Sequence, residues 1–398
     1  MKSEWKTYTV QELIDLGMLE APMDGNHGNL HPKVSDYVLE GIPFIMANDL
    51  VNGKIDYKKC AHITEAQARQ LKKGFAHPGD VLLTHKATIG RTALVGNEYD
   101  TIVLTPQITY YRVKKGISNR YLKAYFDSKE FQELLSNWAG SGSTRAYLGI
   151  TAQRKLPILL PSIDIQNKIA SYCESIDGKI TVNSMINDNL EQQAAALFSS
   201  LYNRSNTEVR YTDLIQILGG GTPKTGETAY WNGNIAFFTP KDVGTPYTFI
   251  TEKTITEEGL SHCNSRLYPV NTVFVTARGT VGKVGLSGVP MAMNQSCYAL
   301  VGKETHQLLV YFYTLKVVDK LKHKASGAVF DAITTRDFES EQIMKLSDDD
   351  ARAFLCVAEP MFQDILNNSI ENLRLSTLRD FLLPKLMSGE IDVSNIQF

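Results

Sequence analysis

The sequence predicts an α/β (α+β) protein that contains its own repeat. Two β-rich α/β domains stand in tandem, each followed by one long helix. The two helices are expected to pair as an antiparallel coiled coil about a pseudo-two-fold axis. Three observations predict this. The chain of 398 residues is too long for one ordinary core. Two helical seams match position by position. A set of β-type runs and turns occurs twice, in the same order.

The first seam, read at alternating steps of four and three, runs Ile169, Cys173, Ile176, Ile180, Asn183, Asn187, Leu190, Ala194, Leu197, Leu201. At an offset of 185 (365 minus 180) it becomes Phe354, Ala358, Met361, Ile365, Asn368, Asn372, Leu375, Arg379, Leu382, Leu386. Apolar positions meet apolar ones except at Ala194/Arg379, and two asparagines meet two asparagines. A polar pair inside a seam fixes register at some cost in stability. The alternative, two unrelated amphipathic helices each packed on its own domain, leaves the shared asparagines unexplained. The pairing residues are therefore Ile176, Ile180, Asn183, Asn187 and Leu190 with Met361, Ile365, Asn368, Asn372 and Leu375.

Ahead of the first helix, residues 5–19 suit a short strand and a small helix. A glycine-rich polar loop follows, Asp24-Gly-Asn-His-Gly-Asn-Leu-His-Pro-Lys33. Strands are expected at Ile42–Met46, Val81–Thr84, Thr92–Val95, Ile108–Val113 and Leu156–Pro161, with helices at Thr64–Lys72 and Asn119–Leu135. Gly140-Ser-Gly-Ser-Thr144 is a flexible polar loop. After a polar hinge at 202–210 the order is replayed. Gly219-Gly-Gly-Thr-Pro-Lys224 parallels the early glycine loop, and Lys241-Asp242 parallels Asn48-Asp49. The clearest match sets Val81-Leu-Leu-Thr-His-Lys-Ala-Thr-Ile-Gly-Arg91 against Val273-Phe-Val-Thr-Ala-Arg-Gly-Thr-Val-Gly-Lys283. Further on, Pro106-Gln107 is set against Asn294-Gln295, and Ser141-Gly142 against Ser326-Gly327. A repeat this long is a domain duplication, not a solenoid.

Composition narrows the class. Hydrophobic content of 43% with 21% charged residues describes a globular chain. A net charge of -2 neither demands nor forbids a polyanionic partner, since a local basic face can exist at any net charge. No run approaches a membrane span and the N-terminus lacks a signal-type apolar stretch. Five scattered cysteines without a Cys-x-x-Cys fit reduced thiols in a cytoplasm.

No motif for catalysis emerges. There is no P-loop, no glycine-rich dinucleotide turn, no nucleophile elbow and no His-Glu-x-x-His. Asp24, His27 and His31 have metal-binding side chains, but a structural zinc site takes four ligands and the second copy has no histidines there, so no metal is expected. A divergent hydrolase using His27, Asp49 or Asp242 is the weakest alternative. What both copies keep is cationic and polar loop chemistry: Lys86/Arg278, Thr88/Thr280, Arg91/Lys283 and Gln107/Gln295. Lysine and arginine serve phosphates, while arginine, asparagine and glutamine read base edges. The candidate DNA contacts are therefore Asn26, His27, His31, Lys33, Lys86, Thr88, Arg91, Gln107, Ser141, Ser143 and Arg145 in the first copy. In the second they are Thr222, Lys224, Lys241, Arg278, Thr280, Lys283, Asn294, Gln295 and Ser326. The competing account is a tight turn carrying a solvated charge.

The loops of the two copies differ, as in Lys86-Ala87 against Arg278-Gly279. Unlike units in tandem would read two different half-sites, where identical ones would read a palindrome. A helix of about 38 residues spans roughly 57 Å. An antiparallel pair of that length could separate two domains by a helical turn of DNA, about 34–36 Å.

This arrangement resembles the specificity subunit of type I restriction-modification systems, over essentially the whole chain. The residues that carry the resemblance are Gly219-Gly-Gly-Thr-Pro-Lys224, the Arg278-Gly-Thr-Val-Gly-Lys283 turn and its partner Lys86-Ala-Thr-Ile-Gly-Arg91. Leu160-Pro-Ser-Ile-Asp-Ile-Gln-Asn-Lys-Ile169 and Leu383-Pro-Lys-Leu-Met-Ser-Gly-Glu-Ile391 belong to the same pattern. The second helix departs from it, opening Leu346-Ser-Asp-Asp-Asp350 without the Leu-Pro and Gln of the first. The resemblance implies target-recognition domains at residues 1–160 and 205–346, a central helix at 161–204 and a C-terminal helix at 347–398. It implies a non-catalytic reader of a bipartite, asymmetric double-stranded DNA site. Two methyltransferase subunits would dock on the helices and methylate adenine, and restriction/translocase subunits can join. S-adenosylmethionine, ATP and Mg would reside on those partners and no cofactor in this chain. A two-domain protein–protein scaffold without DNA binding is the alternative; steep salt dependence would separate the two.

Overall fold

The computed structural model describes residues 5–140, 146–244, 246–324 and 332–393. The chain divides into two compact units, residues 1–180 with 374–398, and residues 181–373. The helices Ile163–Arg204 and Asp348–Met387 each contribute a part to both.

In the first unit, one four-stranded sheet runs Ala61–Ile63, Ile42–Ile45, Ile102–Leu104, Phe75–Ala76. A second runs Met23–Asp24, Ile108–Tyr111, Val81–Lys86, Thr88–Leu94. Every residue from Val81 to His85 is buried, which is why this run reads as continuous rather than alternating. The strand Lys6–Thr9 pairs antiparallel with Pro157–Leu160, just ahead of the central helix, and ties the two ends of the unit together.

The second unit repeats this plan. Its sheets run Lys253–Ile255, Trp231–Phe238, Met291–Met293, and Ile215–Gly219, Cys297–Gly302, Val273–Thr276, Val284–Ser287, Tyr247–Thr248. Ile102–Leu104 lies parallel to Ile42–Ile45 as Met291–Met293 lies parallel to Trp231–Phe238. Thr207–Arg210 closes on Gln342–Lys345 as the first strand does in the other copy.

The predicted helix Asn119–Leu135 is two helices, Asn119–Asp127 and Lys129–Trp138. Ser128, with ψ at 144°, leaves helical backbone, and its hydroxyl caps the second helix by accepting from Phe131 N. The predicted Thr64–Lys72 helix is a single turn, Glu65–Ala68, closed by a Thr64/Gln67 capping box.

The helices pair antiparallel within each unit. In the second, Asn183 Nδ2 donates to Asn372 Oδ1 at 2.9 Å, and Asn368 Nδ2 donates to Asn187 Oδ1 at 2.9 Å. Each asparagine therefore meets the counterpart of its neighbour, the reciprocal pattern of an isologous contact. Asn187 also donates to Ser369 Oγ at 3.2 Å. In the first unit, the one mismatched seam residue, Arg379, pairs with Asp177 at 2.6 Å. Their repeat counterparts, Ala194 and Phe362, are buried apolar residues of the second unit's core.

The apolar stripe of each helix is wider than a two-position seam because its flanks also join the hydrophobic core of each unit. Phe198 lies 5.1 Å from Phe312 and 5.4 Å from Phe354, ring to ring. In the first unit Ile169 and Cys173 join Leu383 and Leu386 in a core with Val10, Val81 and Tyr121. The two helices start differently. Gln166 is buried, accepting from Ser118 N at 2.9 Å and donating to Pro161 O. The second helix instead uses Ser347, which accepts from Asp350 N at 3.1 Å, and an acidic first turn that suits the helix dipole. Tyr313 Oη accepts from Leu346 N at 2.9 Å, anchoring the same point.

Candidate nucleic-acid interface

The repeated motif folds as a hairpin turn in both copies. Thr84 Oγ1 accepts from Arg91 N at 2.9 Å, and Thr276 Oγ1 accepts from Lys283 N at 2.9 Å. Both threonines are fully buried. The turn needs left-handed backbone at Ala87 (φ 65°) in one copy and Gly279 (φ 82°) in the other. Beside it, Leu148 N donates to His85 O, and Ile333 N donates to Ala277 O, so the same downstream segment closes each turn. Lys86, Arg278, Thr280 and Lys283 are exposed on these turns. The tight-turn account describes the backbone; the cations remain on its outside.

The glycine loops are also equivalent. A Cβ on Gly25 would meet Leu104 O and one on Gly220 would meet Asn294 O, at 1.9 and 2.1 Å. Both loops therefore lie against the backbone of the parallel strand, where only glycine fits. The strand pairings set Asp24 beside Thr109 and Gly219 beside Tyr298. They also revise one sequence match. His85 N bonds Gln107 O and Ala277 N bonds Ser296 O, so Gln107 corresponds to Ser296 and Gln295 to Pro106. A slip of one residue exchanges the faces of a strand, so Gln107 and Gln295 are not counterparts.

Several candidate residues have structural duties. Asn26 is buried, accepting from Lys72 N at 3.0 Å and donating to Lys73 O, which pins the loop to the 72–74 segment and takes its amide out of base reading. The Arg91 guanidinium donates to Ala47 O and Leu50 O at 3.2 and 3.4 Å, so it ties the hairpin to a neighbouring turn. Asn294 Oδ1 closes its own turn on Ser296 N. Thr280 Oγ1 donates to Pro240 O at 3.0 Å. His31 packs on Phe44 with rings 5.4 Å apart. Thr88 pairs with Lys86 in the hairpin, and Lys33 is exposed. In the second copy Thr222 Oγ1 donates to Gln295 Oε1, Lys241 pairs with Glu252 at 3.3 Å, and Lys224 O accepts from Trp231 Nε1. Ser141, Ser143, Arg145 and Ser326 lie outside the described residues.

The hydrolase alternative loses its acids. Asp49 accepts from Met46 N and Asp242 from Thr239 N, each at 2.7 Å, and Asp242 also accepts from Glu252 N. Both carboxylates cap the same turn in the two copies. His27 Nε2 is bonded to Asp24 Oδ2 at 2.7 Å. Among the described residues no three His, Cys, Asp or Glu side chains are grouped to hold a metal.

The first copy holds a polar cluster of which the sequence singled out only Asp24 and His27. Asp24 is buried between Lys73 and His27. Burial alone would raise its carboxyl, but the hydrogen bonds from Lys73 and His27 outweigh that and hold it below the usual range. His85, also buried, bonds Thr109 Oγ1 through Nδ1 at 2.8 Å. Burial pushes its pKa down to about 4, so the ring is neutral at pH 7. The second copy has Gly219, Ala277 and Tyr298 where the first has Asp24, His85 and Thr109. A histidine inside a buried strand run, replaced by alanine in the repeat, was the available signal.

A duplicated mixed-sheet unit, with unlike exposed chemistry on matching turns, defines a tandem recognition protein rather than an enzyme with a repeated active site. The sequence profile of the type I restriction modification DNA specificity domain matches residues 2–192 and 203–345. The chain belongs to that family: it is a type I restriction-modification specificity subunit, the non-catalytic component that carries DNA target recognition. It is 24% identical over 395 residues to the type I restriction enzyme MjaIX specificity subunit of Methanocaldococcus jannaschii, covering 92% of this chain and 90% of that one. It is 23% identical to the HindI specificity subunit of Haemophilus influenzae, covering 98% of this chain and all (100%) of the relative. In fold it is similar to the type I restriction-modification S subunit from M. genitalium, with a TM-score of 0.58 at 14% identity over 97% of this chain and 96% of that one.

Proposed function

We propose that this chain reads a split, asymmetric DNA sequence, with one half-site taken by each unit, for adenine methylation by partner subunits. The observation that carries this is the common hairpin platform bearing different chemistry: His27, Lys73 and Lys86 around Asp24 and His85 in one copy, and Thr222, Gln295, Arg278 and Lys283 in the other. Lysines and arginine on such turns suit phosphates, and the polar loop residues beside them suit base edges. In this reading residues 1–160 and 205–346 are the recognition domains, and 161–204 and 347–398 are the helical regions that set the gap. The Ile163–Arg204 helix is 42 residues long, about 63 Å at 1.5 Å per residue.

Two methyltransferase subunits dock on the helices. Exposed Val182, Met185 and Ile186 on one helix, and Leu378 and Phe381 on the other, support this, because apolar side chains at helical spacing suit a partner. S-adenosylmethionine, with ATP and Mg where restriction/translocase subunits join, belongs to those partners, and the complex works in the cytoplasm. Among the described residues no helix is long and apolar enough to cross a membrane.

The test is long-read mapping of modified adenine after co-expression with its cognate methyltransferase, in a host lacking that modification. A single split motif methylated on both strands, and lost without this chain, is expected. Exchanging residues 1–160 for those of a relative should change one half alone. An unsplit motif, or none with an active methyltransferase, refutes the reading.

A further inference from the structure

His85 is 1% exposed, and its Nε2 has no hydrogen-bond partner. Its other nitrogen is taken by Thr109 Oγ1 at 2.8 Å. A neutral imidazole offers one donor and one acceptor, and leaving either of them buried and unmade is costly. The fold does not require an imidazole there, because the repeat has Ala277 in the equivalent place with its own backbone bonds intact. The Tyr147 ring stands 5.8 Å from the His85 ring and is itself 52% exposed. Around this pair lie Lys86, Lys73, His27 and Asp24, all within electrostatic reach of His85.

We propose that His85 is a base-discriminating residue of the first half-site, its free Nε2 bonding a base edge in the major groove once Tyr147 turns aside. This rests on the reading that each unit takes one half-site. Rotamer changes of exposed side chains are common when interfaces form. The surrounding cations are better suited to phosphates than the neutral, buried ring is. A neutral nitrogen selects by the donor and acceptor pattern of the base edge instead. The second unit, with alanine at this place, reads its bases by other groups. The two halves thereby acquire different preferences on one framework.

The experiment is the adenine-methylation map of the full chain with its methyltransferase, for wild type, His85→Ala, His85→Gln and Tyr147→Phe. For His85→Ala, discrimination at one or more base pairs of a single half should fall about tenfold, with the other half unchanged. His85→Gln, which offers a donor and an acceptor near the same place, should shift the preferred base in that half. Tyr147→Phe, which keeps a ring of similar size, should leave the motif as in wild type. If His85→Ala fails to fold, His85→Gln decides. A wild-type motif in every position for both His85 variants overturns the proposal while leaving the split-site reading standing. A wild type with no split motif overturns both.

Discussion

His85 makes a stability prediction that needs no DNA. The ordinary histidine pKa is near 6.5, and burial brings that of His85 down to about 4, against a smaller opposing pull from Asp24. Between those values the unfolded chain binds a proton that the folded chain excludes. Stability is therefore fully present above about pH 6.5 and is lost as pH falls towards 4. At pH 5 the gap covers about 1.5 pH units, and at 1.36 kcal/mol per unit this amounts to about 2 kcal/mol. His85→Ala removes the group and with it that part of the pH slope. Asp24 does not confuse the window, since its carboxyl titrates below its ordinary value of 3.8. The assay is urea unfolding of the full chain at pH 7.5 and 5.0, in a Trp231→Phe background so that Trp5 and Trp138 report the first unit. Wild type should lose about 2 kcal/mol more than the variant between the two pH values. Equal losses would refute the assignment of a desolvated, neutral imidazole.

Other consequences are direct. Gly279→Ala should destabilise by about 1 kcal/mol, because φ there is 82° with no close atom to blame, and Ala87→Gly, at φ 65°, should stabilise by a similar amount in denaturant titrations. Asn187→Ala strands the amide that Asn368 donates and should cost about 1–3 kcal/mol, whereas replacing Asn187 and Asn368 together by leucine should cost less, a contrast readable from a double-mutant cycle. Asp242→Ala deletes the acceptor for Thr239 N and Glu252 N and should lower stability by about 1–3 kcal/mol in the same titrations.

The architecture was legible because duplication leaves a record in one chain. The seam of Ile180, Asn183 and Asn187 against Ile365, Asn368 and Asn372 predicts two related helices, and the Thr84–Arg91 and Thr276–Lys283 hairpins predict two related units. Periodicity and turn chemistry are local properties, so a sequence states them openly. The candidate interface was only partly legible. Asn26 and Arg91 have the residue types of DNA contacts, yet their side chains are bonded to backbone 46 residues on and 44 residues back. Sequence cannot say which way a polar group turns when its partner is that distant. The Gln107/Gln295 match slipped by one position because one shared glutamine outweighed a register that only the strand pairing sets.

By itself, then, the sequence determined the repeat, the helical pair and the unlike loops, since these rest on spacing and composition. Only the tertiary structure decided which polar residues are turn caps and tethers, and that Asp24, His27, Lys73 and His85 form one cluster. Burial and partner choice arise when distant segments meet: Lys73 reaches Asp24 across 49 residues and Thr109 reaches His85 across 24. A buried, half-satisfied imidazole exists only once the sheets close around it.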